Sequence, residues 1–139
     1  MKIRVKLDPG AKMPTRAHAW DAGLDLYAMY NAIIRPHSRA VIDTGTHFKI
    51  PHGYAGLLTS KSGLMRKDGI TSRGTIDSDY TGSVQAILFN HSNKSMRIKK
   101  GQKVTQLVIV PIITPEPELV DELEETDRGD GGFGSTGEF

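Results

Sequence analysis

The chain contains no cysteine, so neither disulfides nor thiolate zinc sites can hold it together. Aromatic residues make up only 6% of its 139 positions, with one tryptophan, and the apolar fraction is a modest 37%. A core with so little aromatic volume is built from small and aliphatic side chains, or is completed by another subunit. The longest apolar run, Val104 to Ile113, is too short and too interrupted to cross a bilayer. The first ten residues, MKIRVKLDPG, alternate charged and apolar side chains and carry no signal-peptide pattern. Five histidines (His18, His37, His47, His52 and His91) lack metal-ligand spacing and read as ordinary surface or core residues. The expectation is a soluble, cytoplasmic (intracellular) protein with no membrane partner, and at this length a single domain.

Acidic residues are scarce in most of the chain and crowded at one end. Residues 1–115 hold seventeen Lys or Arg against seven Asp or Glu, whereas residues 116–130 hold eight acids against one arginine. The net charge of +2 conceals this division. A basic body attracts phosphorylated molecules or nucleic acid, or is simply a solvated surface neutralised by its own acidic tail. No aromatic-studded strand surface or nucleic-acid motif accompanies it, so a nucleic-acid partner is not expected.

What is present is period-two patterning. Ile3, Val5 and Leu7 alternate with Lys2, Arg4 and Lys6, the mark of a half-buried strand. Further strand candidates are 24–29, 40–42, 47–50, 54–58, 83–89 and 102–110. They are separated by turn signals at Asp8-Pro-Gly, Arg35-Pro-His, Ile50-Pro-His-Gly, Lys100-Gly and Thr114-Pro. Many short strands and no long helices predict an all-β sandwich or barrel. One short helix is expected near Ser62, capped by Ser62 and stopped by Gly69. The core is assigned to residues 1–115, and residues 116–139 read as an acidic spacer and a glycine-rich arm of the same domain.

Five stretches contain residues that do not suit their surroundings. In DAGLDL (21–26), Asp25 interrupts an apolar strand, which is unfavourable unless the carboxylate is paired or meets a cation. In TSKSGL (59–64), Lys61, Ser62 and the amides of a helix start form an anion site or a plain capped entry. This is not a Walker A loop, because Ala55 and Ser60 stand where glycines are needed. In GTIDSDYTG (74–82), glycines bracket what reads as a tight hairpin. Asp77 and Asp79, two apart, would share a face if they lie on a regular strand. In GQKVTQLV (101–108), Gln106 precedes a run that reads as buried and therefore needs partners. The last stretch, RGDGGFGSTG (128–137), has five glycines among the nine residues from Gly129 to Gly137, costly to order at a terminus.

Taken in order, these five stretches closely resemble the five motifs of the trimeric deoxyuridine triphosphate nucleotidohydrolases, the dUTPases, from about Asp21 to Gly137. The resemblance implies a distorted, jelly-roll-like β-barrel with one short helix, and a C-terminal arm exchanged between the subunits of a homotrimer whose active sites lie at subunit interfaces. It implies Mg²⁺-assisted hydrolysis of dUTP to dUMP and pyrophosphate by attack of water on the α-phosphorus. By match to the third motif, Asp77 is expected to be the catalytic base; by match to the first, Asp25 supports the metal, through metal-bound water. Lys61, Ser62 and Gly63 are expected on the phosphate chain, and Gln106 at the α-phosphate or a metal-bound water. The stretch Ser72, Gly74, Thr75 and Ile76 would read the uracil edge, with Tyr80 against the deoxyribose. The arm would bring Phe133 over the base, Arg128 to the γ-phosphate, and Gly134, Ser135 and Thr136 to phosphate oxygens. Lys61 replaces the arginine usual in the second motif, and loses its planar fork. A deoxycytidine triphosphate deaminase shares this fold, but the family-typical arm argues against it. Some phage members switch a partner protein through nucleotide occupancy, which makes a regulatory partner a second expectation.

Overall fold

The computed structural model describes residues 1–139. Ten strands and one helix follow in the order β1 (Arg4–Leu7), β2 (Gly23–Tyr27), β3 (Ala32–Ile34), β4 (Arg39–Asp43), β5 (Thr46–Lys49), β6 (Tyr54–Thr59), α1 (Ser62–Asp68), β7 (Ile70–Ile76), β8 (Gln85–Asn90), β9 (Met96–Ile98) and β10 (Lys103–Pro111). All pairings are antiparallel. A six-stranded sheet runs β2-β10-β6-β7-β8-β4, and two ribbons, β1-β5 and β3-β9, complete the wall. This curled, jelly-roll-like sheet with a single short helix is the all-β architecture expected.

The chain folds this way because apolar side chains alternate along its strands. In β8, Ala86, Leu88 and Asn90 point inward while Gln85, Ile87 and Phe89 face out. The inward residues form two aliphatic clusters. One gathers Ile34, Ile42, Ile70, Leu88, Ile98 and Val104; the other is centred on Leu26, Phe48, Ile50, Leu58, Val84 and Leu107. Phe48 is the one phenylalanine fully inside, so the low aromatic content does correspond to an aliphatic core.

Three expectations need correction. β3 and β9 were not foreseen in the pattern, being three residues each, and neither was β7 as a long strand. The tight hairpin over residues 74–82 is not formed: Gly74 lies mid-strand opposite Leu58, and a wider turn follows Ile76. Asp77 and Asp79 therefore sit in that turn, both exposed, and not on one face of a strand. Finally, Ser62 is not the cap of α1. The N-cap is Lys61, with extended backbone and no side-chain cap bond, while Gly69 closes the helix in the left-handed conformation as expected.

Candidate active site

Strand register brings three of the five motifs together. On β10, Gln106 pairs with Asp25 of β2 on one side and with Thr59 of β6 on the other. Lys61 follows β6 directly, at the entry to α1. The centre of the cluster is Asp25, only 4% exposed. Lys61 Nζ donates to its Oδ1, and Lys103 Nζ lies 2.8 Å from its Oδ2. Burial alone would push the Asp25 carboxyl up, but bonds and charge from Lys103 and Lys61 outweigh it and hold the group below its ordinary range. The same contact with Asp25 raises Lys103. One carboxylate against two ammonium groups leaves a surplus positive charge, which suits an anionic ligand.

Gln106 is half-buried, less enclosed than its run suggests, and its Nε2 donates to the Ser60 carbonyl at 3.1 Å. Gly23 makes room for it: a Cβ there would lie 2.3 Å from Gln106 Oε1. Ser62 and Gly63 are exposed in the first turn of α1, with no acidic side chain there to compete for their amides. Between β6 and β7 runs a cleft of about 490 Å³, bordered by Thr59, Ser60, Ser72, Gly74 and Thr75. Ser72 is already committed. Its Oγ shares a hydrogen bond with Thr105 Oγ1 at 2.9 Å, and its backbone NH and carbonyl both engage Ser60 Oγ. Ile76 points into the core. Thr75 and half-buried Gly74 remain presented to the cleft.

The third and fifth motifs stand apart from this cluster. Asp77 follows Ile76, which pairs with Gly56, whereas Gln106 pairs with Thr59 at the other end of β6. The offset is four residue steps, about 13 Å along the strands. Tyr80, half-exposed, donates through its hydroxyl to the Ser83 carbonyl at 2.8 Å, and its ring lies over Gly82. In the arm, Arg128 Nε donates to the Gly131 carbonyl, and every hydrogen bond from residues 116–139 stays within that segment. Phe133 is fully exposed with a positive φ of 50°, and Gly134, Ser135 and Thr136 lie beside it in the same exposed segment.

Sequence reasoning missed Lys103, Ser60 and Gly23 as parts of the site. Lys103 had a signal, since it directly follows the Gly101-Gln102 of the fourth motif; Ser60 and Gly23 reveal themselves only through register. No group of three His, Asp or Glu side chains converges to hold a metal ion, and both oxygens of Asp25 face ammonium groups. The chain thus offers no metal cage of its own. A hard cation would fit here only when carried on ligand phosphates and met through water. No helix is long and apolar enough to cross a membrane.

The sequence and the fold recur in known proteins. Residues 10–137 match the family model described as dUTPase. The deoxyuridine 5'-triphosphate nucleotidohydrolase of Nautilia profundicola is 44% identical over 141 residues, covering 99% of both chains. That of Kluyveromyces lactis is 44% identical, covering 99% of this chain and 93% of its own. Among solved structures, a variant of the Staphylococcus bacteriophage 80alpha dUTPase with dUpNHpp superposes at a TM-score of 0.90, with 36% identity and 98% of each chain covered. A variant of the phage phi11 enzyme, described with a structural Mg(II) ion, gives 0.82 at 33% identity, covering 90% of this chain and 100% of its own. With the family model spanning nearly the full length, and relatives this similar along the same span, the chain belongs to the dUTPase family.

Proposed function

We propose that this chain hydrolyses dUTP to dUMP and pyrophosphate in a site shared among three copies, with Asp77 activating the water that attacks the α-phosphorus. The observation that supports the shared site is the separation within one chain. Asp25, Lys61, Lys103 and Gln106 form one cationic corner, while Asp77 and Tyr80 lie some four residues down the sheet and the arm makes no hydrogen bond to either. Trp20, Ile113, Leu119, Leu123 and Phe133 are all largely exposed, more apolar surface than an isolated chain of this size would be expected to leave open. A homotrimer accommodates both facts.

Each residue then has a chemical task. Water is a poor nucleophile, and a triphosphate repels anions, so the reaction needs a base, charge neutralisation and positioning. Asp77 is exposed, and its side chain is open to an attacking water. Asp25 holds Lys61 and Lys103 in place, and their surplus charge receives the phosphate chain with the open amides of Ser62 and Gly63. Gln106 presents its amide to the α-phosphate side of that chain. Lys61 is a point charge, and its partnership with Asp25 fixes it in place of the planar fork an arginine would offer. Gly74 and Thr75 read the base edge from the cleft, together with the backbone at Ile76. Ser72 supports that edge from behind through Ser60 and Thr105. Tyr80 packs on the deoxyribose and excludes a 2′-hydroxyl. Phe133 closes over the base, and Arg128, Gly134, Ser135 and Thr136 close over the phosphates. Asp25 and Gln106 would meet Mg²⁺ only through its water, and the ion would supply neutralisation of phosphate charge.

The test is hydrolysis in ¹⁸O-water with pyrophosphate release compared across the deoxynucleoside triphosphates, with and without Mg²⁺. Label should enter dUMP, and dUTP should be strongly preferred over dTTP, dCTP and UTP. Label in pyrophosphate would rule out attack at the α-phosphorus.

A further inference from the structure

His47 lies on β5, outside every motif, yet its ring bridges two separate parts of the fold. Its Nδ1 is 2.8 Å from the Thr81 carbonyl, in the turn that carries Asp77 and Tyr80, and its Nε2 is 2.9 Å from Asp8 Oδ1, in the turn after β1. The side chain is 19% exposed. A carbonyl and an ionised carboxylate are both acceptors only. A neutral imidazole carries one N–H, so either tautomer leaves a ring lone pair facing an oxygen at under 3 Å. Only the doubly protonated ring satisfies both partners. From this geometry we infer that His47 is a positioning residue, an imidazolium strut that holds the 77–82 turn in working order, so that dUTP turnover weakens when the strut loses a proton.

The charged groups around the ring oppose one another. Asp8 favours the imidazolium. Lys6, directly opposite on β1, disfavours it, as do Arg4 and Lys49, which line the same cleft of about 340 Å³. From the 77–82 turn the facing group is the uncharged Thr81 carbonyl. One other ring reaches this segment, His52, whose Nε2 lies 3.7 Å from Asp79 Oδ1 with both side chains exposed to solvent. The tethers beyond Thr81 involve no ring: Val84 NH donates to the Thr46 carbonyl at 2.8 Å, and Ser83 Oγ to Asp43 Oδ1 at 2.5 Å. Those two bonds anchor its far end. Thr81, next to Tyr80, is held from β5 by His47. Loss of the strut therefore frees the part of the turn nearest the substrate without unfolding the sheet.

His47 has this role only if Asp77 and Tyr80 act as proposed above, and the experiment separates the two. The imidazole ¹⁵N shifts of His47 in the full-length protein, assigned by comparison with His47→Gln and His47→Lys, should show both nitrogens protonated while the enzyme is fully active and one proton lost where activity falls. In parallel, kcat/KM for dUTP is followed from about pH 5 to about pH 9 in the wild type, His47→Gln and His47→Lys. A general base gains activity as pH rises, so a fall on the alkaline side is not the signature of Asp77. The wild type should fall about tenfold as the ring deprotonates, the loss of one charge-assisted bond. His47→Lys, which keeps donors for both acceptors, should hold its activity across the range. His47→Gln should start about tenfold lower and show no such step. A His47 ring that is neutral throughout while the enzyme is fully active overturns the strut, as does a His47→Gln variant with wild-type kcat/KM and an unchanged pH profile. If His47→Gln does not fold, His47→Lys supplies the assignment and the ¹⁵N shifts of the wild type decide. A wild type with no activity on dUTP defeats the functional reading and the strut together.

Discussion

Gly23 and Gly82 each leave space that a side chain proposed for the site fills, Gln106 at the first and Tyr80 at the second. At Gly82 a Cβ would come within 2.6 Å of Tyr80 Oη and 2.9 Å of its Cε2. The clash is with the free end of a half-exposed side chain, so the fold can yield by swinging the ring away and losing its bond to the Ser83 carbonyl. Gly82→Ala should therefore leave the urea midpoint within about 0.5 kcal/mol of wild type and relax discrimination against UTP by about tenfold. Competition kinetics with dUTP and UTP would check it; unchanged selectivity would remove Tyr80 from the sugar side. Asp25 gives a different signature. Its carboxyl is held below its ordinary range by Lys103 and Lys61 against the opposing effect of burial. A depressed native pKa means that the unfolded chain binds the proton more readily. The ion pairs accordingly contribute stability above the unfolded carboxylate range, near pH 4, and lose it as pH falls through the native value. Asp25→Asn should flatten this part of the acid limb in urea titrations run between about pH 7 and pH 3. It should also lower kcat/KM at neutral pH by at least about tenfold, because both lysines lose their anchor. An acid limb identical to wild type would show that the pairs do not form in solution.

Helix α1 shows how one element depends on one backbone angle. Gly69 closes it at φ 65°, and its NH caps the carbonyls of Leu64 and Met65. A Cβ at Gly69 would touch nothing closer than 3.7 Å, so the cost of Gly69→Ala is conformational: about 1 kcal/mol, seen as a lower urea midpoint. Gly69→Asn should cost less, because asparagine tolerates that region; equal losses for the two would point to packing instead. The C-terminal stop was legible because a glycine before Ile70 has few other uses. The N-terminal cap was not, because Lys61 spends its side chain on Asp25, a contact that sequence distance hides. Similar reasons divide the strands. β1, β2, β4, β5, β6, β8 and β10 each coincide with an alternating or apolar stretch and could be read directly. β3 and β9 are three residues each, and pair only with one another across some sixty residues of chain. β7, with the sequence ITSRGTI, is too polar to announce a strand. It is one because Ser72 and Thr105 satisfy each other inside the sheet. Asp25 could be flagged as a carboxylate in need of a cation, but its two partners come from β10 and the entry to α1.

At the scale of the molecule, the chemistry proposed for this chain needs groups that one chain keeps apart. The Asp25 corner and the Asp77 turn occupy opposite ends of β6, and the arm, residues 116–139, makes no hydrogen bond to either. A site drawn from several copies makes a quantitative demand that a site within one chain does not. Consider two inactive variants, Asp77→Asn with an intact arm, and a chain lacking residues 128–139 with an intact Asp77. Both should fold, since Asp77 is exposed and the deleted segment bonds only within itself and to the adjoining Thr126. Refolded alone, each should be nearly dead: about 10²–10⁴ below wild type for the first, and severely reduced for the second. Refolded together in equal amounts, random assembly into closed trimers places a good Asp77 and a good arm around the same site in about one site in four. Activity should thus return to about a quarter of wild type. If base and arm came from one chain, no mixed trimer would hold a complete pair and the mixture would stay inactive. The recovered fraction, measured as pyrophosphate release against the mixing ratio, distinguishes these cases because it must peak at equal proportions and vanish at both ends. A flat, inactive profile from mixtures shown by subunit exchange to be fully mixed would place base and arm on a single chain and refute the shared site.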